Sequence, residues 1–244
     1  MHLPKLNFLL ASLPEVDYTR LAPHLELIGL KSGTELFHTG KQRTDIYFPT
    51  TCTVSAQIEL EQGNCTDVYL LGDRGLFGTG TVKRGTYFKA IVRKPGFAYR
   101  CPSTVFMEEM VRGEGVMMMS LMATRIIMEE MATNISCRTF HPLNQQVARW
   151  LINYGQDDPI ETITITHSEL ANVLGVRRER VTLALNQLEN QACISLNRGH
   201  IKVKDYTLLT KYACNCNHAE TQCHGPCIDL SLIQAHQQRG FRII

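Results

Sequence analysis

The chain has 244 residues, of which 44% are hydrophobic and 20% charged, with a net charge of +2. That length allows two domains with cores of their own, and the balance excludes a disordered or fibrous chain. A charge so close to zero does not by itself mark a nucleic-acid partner, and no apolar run approaches the ~20 residues of a membrane-spanning helix.

At the N-terminus, Pro4, Lys5 and Asn7 interrupt an apolar patch that falls short of the ~7–15 residues at the centre of a signal peptide. With nine cysteines in the chain, the expected setting is a reducing cytoplasm, with no membrane partner. Pro14 to Leu27 reads as a short helix and its exit. Ile46–Phe48, Thr53–Leu60, Thr66–Leu71 and Lys89–Arg93 then read as strands, punctuated by the turn residues around Gly33, Gly63 and Gly96. Many short strands at this spacing predict a sandwich or barrel.

From Ser103 to Asn134 the pattern becomes helical. Met117, Leu121, Thr124, Met128, Met131 and Ile135 alternate by four and three, a coiled-coil-like seam with one polar interruption. Two readings stand open: a dimer seam, or a helix lying on its own barrel, for which methionine is equally suited. Pro142 opens a further helix with Val147, Trp150 and Leu151 on its apolar face, and Gly155–Pro159 breaks it.

The next segment carries the most information. Ile163–Ile165 reads as a short strand leading to Thr166, which has capping-box spacing with Glu169. Leu170, Leu174, Val181, Leu185 and Leu188 form an apolar stripe at helical spacing. Ala171 is small where two helices would cross, and Gly175 sits where a turn needs positive φ or unhindered backbone. Arg177, Arg178, Glu179, Arg180 and Thr182 then surround the exposed start of a second helix, the end that reads base edges in helix-turn-helix proteins. Cys193–Lys204 reads as a hairpin turning at Arg198 and Gly199, a wing or an ordinary solvated hairpin. His167 and Ser168 at the first helix start, with Arg198 and His200 at the hairpin, complete the candidate DNA contacts. From His167 to Lys204 six basic residues face three acidic ones, the local excess that phosphate contacts need.

The arrangement resembles the Crp/Fnr family of bacterial transcription regulators over nearly the full chain. The resemblance is carried by Val147–Leu151, Leu170–Val181 and Ile201–Asp205, and in the first half by Leu25–Phe37, Ile46–Pro49 and Leu71–Gly78. It implies an α+β fold: a cyclic-nucleotide-binding-like β-barrel over 1–102, a dimerisation helix over 103–140, a winged helix-turn-helix over 141–212 and a cysteine-rich tail over 213–244. It also implies a homodimer on partly palindromic double-stranded DNA, with half-sites ~34 Å apart, and RNA polymerase as a further partner. Arg178 and Glu179 fall on the family's Arg-Glu pair, suited to guanine O6/N7 and cytosine N4. A third base-reading arginine of the family falls at Leu183, so the usual consensus is not expected.

Family members that bind cyclic nucleotides use a glutamate for the ribose and an arginine for the phosphate. By resemblance these positions fall near Thr79 and at Phe88, so cyclic AMP is not the expected effector. Arg84 and Lys89 offer an anion partner from a shifted position. The tail supplies Cys214, Cys216, Cys223 and Cys227, four thiols within fourteen residues, with His218 and His224 among them. Three readings are open: a zinc or iron-sulfur site, thiol redox sensing, or no role. The spacing matches neither paired C-x-x-C knuckles nor the iron-sulfur pattern of the oxygen-sensing members. Cys52, Cys65, Cys101, Cys137 and Cys193 read as core filling. An effector-independent regulator is the alternative. A cysteine-dependent enzyme using Cys214 with His218, or Cys223 with His224, is the rival class, without any accompanying oxyanion or cofactor motif.

Overall fold

Asn7 shows how the first element is anchored. Its side-chain oxygen accepts from the amides of Leu9 and Leu10, capping α1 (Phe8–Ala11), while its amide donates to the carbonyls of Pro49 and Gly75. A fully buried amide is tolerated because its bonding capacity is met. The computed structural model describes residues 4–40, 43–60, 65–79, 88–155 and 162–216. The chain divides into two compact units, Met1–Cys214 and Asn215–Ile244. Only Asn215 and Cys216 of the second are described, so Cys223 and Cys227 lie outside the described residues.

After α1 and α2 (Glu15–Leu21), seven strands form two antiparallel sheets. One has the order β1 (Glu26–Leu30), β7 (Gly96–Pro102), β3 (Asp45–Pro49). The other has the order β2 (Glu35–Phe37), β6 (Lys89–Lys94), β4 (Thr53–Glu59), β5 (Cys65–Leu71). Their inward residues, including Phe48, Val54, Ala56, Val92 and Ala98, share one core with Leu9, Leu10, Leu21 and Phe77. The four strands expected from the sequence are present; β1, β2 and β7 are additional.

The helix expected over Ser103–Asn134 is two helices, α3 (Ser103–Arg112) and α4 (Glu114–Phe140), broken at an extended Gly113. The cause is close approach of α2: a Cβ at Gly113 would lie 2.5 Å from Asp17 Oδ1 and 2.8 Å from Arg20 Nη2. The buried Glu109 carboxylate ties the same corner, accepting from Arg20 Nε at 2.7 Å and Arg112 Nη1 at 2.9 Å. Along α4, Val116, Met119, Ala123 and Ile126 face the first core. Met117, Leu121, Met128 and Ile135 are exposed, as is Thr124, whereas Met131 is half-buried against that core. No helix among the described residues is long and apolar enough to cross a membrane.

The second core is built by α5 (Leu143–Gly155), α6 (His167–Leu174), α7 (Arg178–Asn190) and α8 (Tyr206–Tyr212). They pack with a three-stranded antiparallel sheet ordered β8 (Thr162–Thr164), β10 (His200–Val203), β9 (Ile194–Asn197). The whole is the expected α+β class. Among the features that join the halves, two stand out. Leu70 of β5 belongs to the second core, while its neighbours Tyr69 and Leu71 belong to the first. Arg138 of α4 donates to Thr66 Oγ1, the Asp67 carbonyl and the Val173 carbonyl at 3.0, 2.6 and 3.1 Å.

Candidate nucleic-acid interface

The turn between α6 and α7 sets the interface. Thr166 caps α6 through the expected box: its hydroxyl accepts from the Glu169 amide at 3.1 Å, and the Glu169 carboxylate accepts from the Thr166 amide at 2.7 Å. Gly175 ends α6 with φ +66°, and its amide returns to the carbonyls of Ala171 and Asn172. Both reasons for glycine apply, because a Cβ there would also lie 2.9 Å from Thr66 Oγ1. Val181, Leu185 and Leu188 are buried at 1% exposure or less, so α7 has one fixed rotational setting.

That setting leaves Arg177, Arg178, Glu179 and Arg180 exposed. Among the described residues none of these arginines forms an ion pair. Glu189 is engaged elsewhere, accepting from the Leu196 amide at 2.7 Å and so pinning β9 to α7. Arg177 and Arg180 also border an open groove of about 710 Å³ whose far wall includes Cys65 and Thr66. The Arg177 side chain makes no capping bond at the start of α7. Thr182 is half-buried: its hydroxyl donates to the Arg178 carbonyl at 3.1 Å, which leaves His167 Nδ1 to donate to it at 2.9 Å. Ser168 is exposed at the start of α6. Arg198 lies exposed at the hairpin turn, and exposed His200 meets Thr164 Oγ1 through Nδ1 at 3.2 Å. Leu183, where the resembling family has an arginine, is 64% exposed.

Residues 145–212 match the Crp-like helix-turn-helix domain family. The chain carries a Crp-like DNA-binding domain. No curated relative matches it. Among solved structures, a protein from Eubacterium rectale assigned to the Crp/Fnr transcriptional regulators is similar at 19% identity and TM-score 0.67, over 85% of this chain and 98% of that one. FixK2 from Bradyrhizobium japonicum is similar at 13% identity and TM-score 0.63, over 78% and 98%. The c-di-GMP responsive regulator CLP from Xanthomonas campestris is similar at 12% identity and TM-score 0.60, over 79% and 100%. The Crp-like domain, within a fold shared with Crp/Fnr structures, bears out the Crp/Fnr resemblance.

The positions that the resemblance assigns to nucleotide binding carry other side chains, Thr79 and Phe88. Phe88 packs edge-on against Tyr69 at 6.3 Å, and Tyr69 stacks on Phe77 at 5.7 Å. The Lys89 ammonium lies 3.6 Å from both Glu35 and Glu59 carboxylates, so its charge is already shared. Thr79 contributes its carbonyl to Arg43, whose guanidinium burial pulls below its ordinary pKa. Arg84 lies outside the described residues.

A second cluster gathers elsewhere. Cys137, His141 and Cys214 bring their sulfur and ring-nitrogen atoms within 4.8 Å of one another, a set that can hold a metal. The two sulfurs stand at 3.4 Å. The sequence points to Cys214 for such a set and to a core-filling role for Cys137; the structure instead brings Cys137 and His141 to Cys214. Cys137 lies in the last turn of α4 and His141 is the residue that caps it. Cys52, Cys101 and Cys193 are buried as expected, and burial pushes their pKa values up, Cys52 to about 11 and Cys101 to about 12, whereas Cys65, also expected in the core, is only half-buried at the rim of the groove.

Proposed function

We propose that the protein is a homodimeric, sequence-specific transcription regulator whose DNA affinity is set by a metal or redox input rather than by cyclic AMP. The observation that carries the reading is the row of exposed guanidiniums, without an ion pair among the described residues, on the rigidly seated start of α7. A helix entering the major groove presents base-reading side chains there. Arg178 and Glu179 are the direct readers, Arg177 and Arg180 serve phosphate, and Thr182 offers its methyl group. The open amides at the start of α7 add an anion site. Ser168, His167, Arg198 and His200 flank this surface on α6 and the wing.

The exposed seam of α4 supports the dimer, since Met117, Leu121, Thr124, Met128 and Ile135 lie on the side away from the first core. The loss of the phosphate arginine at Phe88 supports a non-nucleotide signal, because a buried anionic phosphate needs a fixed cation. The test is selection of duplexes from a random pool, followed by anisotropy at several salt concentrations. The expected result is a partly palindromic site bound by two chains, with affinity falling steeply in salt. Equal binding to every duplex would overturn the reading.

A further inference from the structure

We infer that Cys137, His141 and Cys214 form the binding site of a single zinc-class divalent ion, one that ties the end of the long helix α4 to the exit of the DNA-binding domain. The inference deepens the metal-responsive reading above and rests on it.

Three observations carry it. Cys137 lies in the last turn of α4 and His141 is its extended C-cap, whose amide donates to the Cys137 carbonyl at 3.1 Å, so the cap bond keeps the two residues side by side. Cys214 comes from the other end of the DNA-binding domain, two residues after α8, and meets Cys137 in a buried contact. Finally, the spacing selects the metal. Zinc–sulfur bonds of about 2.3 Å in a tetrahedron place neighbouring sulfurs roughly 3.8 Å apart, against 3.4 Å here and 4.8 Å as the upper limit for all three ligand atoms. A four-iron cluster puts each thiolate on its own iron, around a core of iron and sulfide, and spreads the sulfurs farther than one ion does. Two thiolates with an imidazole favour zinc over magnesium or calcium, which take oxygen. The ligand set moves the expected site from the distal tail to the junction between α4 and α5. Cys223 and Cys227 then become dispensable.

The experiment uses the full chain, stripped by chelation under reducing conditions and reloaded with zinc or cobalt. One ion per chain is expected, with cobalt giving the intense visible bands of a tetrahedral site and near-ultraviolet thiolate charge transfer. Cys137→Ser and His141→Ala should each weaken binding at least about tenfold, and the Cys223→Ser/Cys227→Ser double variant should bind as the parent does. His141 is only half-buried, so its variant keeps the test open should Cys137→Ser fail to fold. Ion retained by both junction variants, or iron with acid-labile sulfide, would overturn the inference. Operator binding on the same samples keeps two failures apart. Zinc bound without DNA binding overturns the regulator and leaves the site, whereas DNA binding by a chain that takes up no ion does the reverse.

Discussion

Thr182 and His167 show how one hydrogen bond can matter to recognition without reading a base. With the threonine proton committed to the Arg178 carbonyl, the imidazole of α6 braces α7 from outside. Loss of one such bond costs about 1 kcal/mol. His167→Ala should therefore weaken binding evenly across operator sequences. Arg178→Ala should instead relax preference at one position of each half-site by ~1–3 kcal/mol. Anisotropy over a panel of single-base operator variants separates the two patterns. Gly175→Ala tests the turn: an L residue held left-handed costs ~1–2 kcal/mol, and Thr66 stands in the way of the added carbon. A thermal midpoint lower by roughly 2–8 °C is expected, and an unchanged midpoint would refute the crowding. These positions were legible in the sequence because their signals are local: a cap three residues from its partner, a glycine at a turn, a run of arginines. The thiol cluster was not, because Cys137 and Cys214 are 77 residues apart and only the packing of α8 on α5 brings them together.

Among the elements, α4 carries two apolar stripes, one spent on the first core and one left outside. A helix that is apolar on both sides needs a second surface to cover it. Leu121, 53% exposed at the middle of the outer stripe, is the place to test it. Leu121→Glu should convert the protein to monomers in sedimentation and abolish tight palindrome binding, while leaving the circular dichroism spectrum unchanged. A dimer that survives the substitution would exclude this face. The heptad spacing of the stripe was readable directly, but the break at Gly113 was not, since its cause is Asp17 arriving from α2. The strands that escaped notice have physical reasons too. β2 has three residues and an irregular register at Glu35 and Phe37, and β7 runs between Gly96 and Pro102, residues that ordinarily punctuate strands.

For the molecule as a whole, the state described docks the DNA-binding domain onto β5. Arg138 spans that junction, and its partners include two backbone carbonyls. Burial lowers its pKa from the ordinary value, yet a guanidinium stays charged at neutral pH, so the latch does not respond to physiological acidity. Arg138→Ala leaves those carbonyls without this donor, at about 1–3 kcal/mol. Faster hydrogen exchange in α6 and the end of α4 is the expected signature, and unchanged protection would place the docking energy elsewhere. Leu70 has a different consequence. Because its side chain fills the second core from a strand of the first, the second half does not own a complete interior. Heating should give a single calorimetric peak rather than two, and Leu70→Ala should soften both halves together. A fragment starting at residue 141 would carry an empty socket facing water between Trp150 and Leu174. Fused to another sensor, this DNA-binding domain should aggregate unless the graft brings a substitute for that leucine, which makes β5 part of what must travel with it.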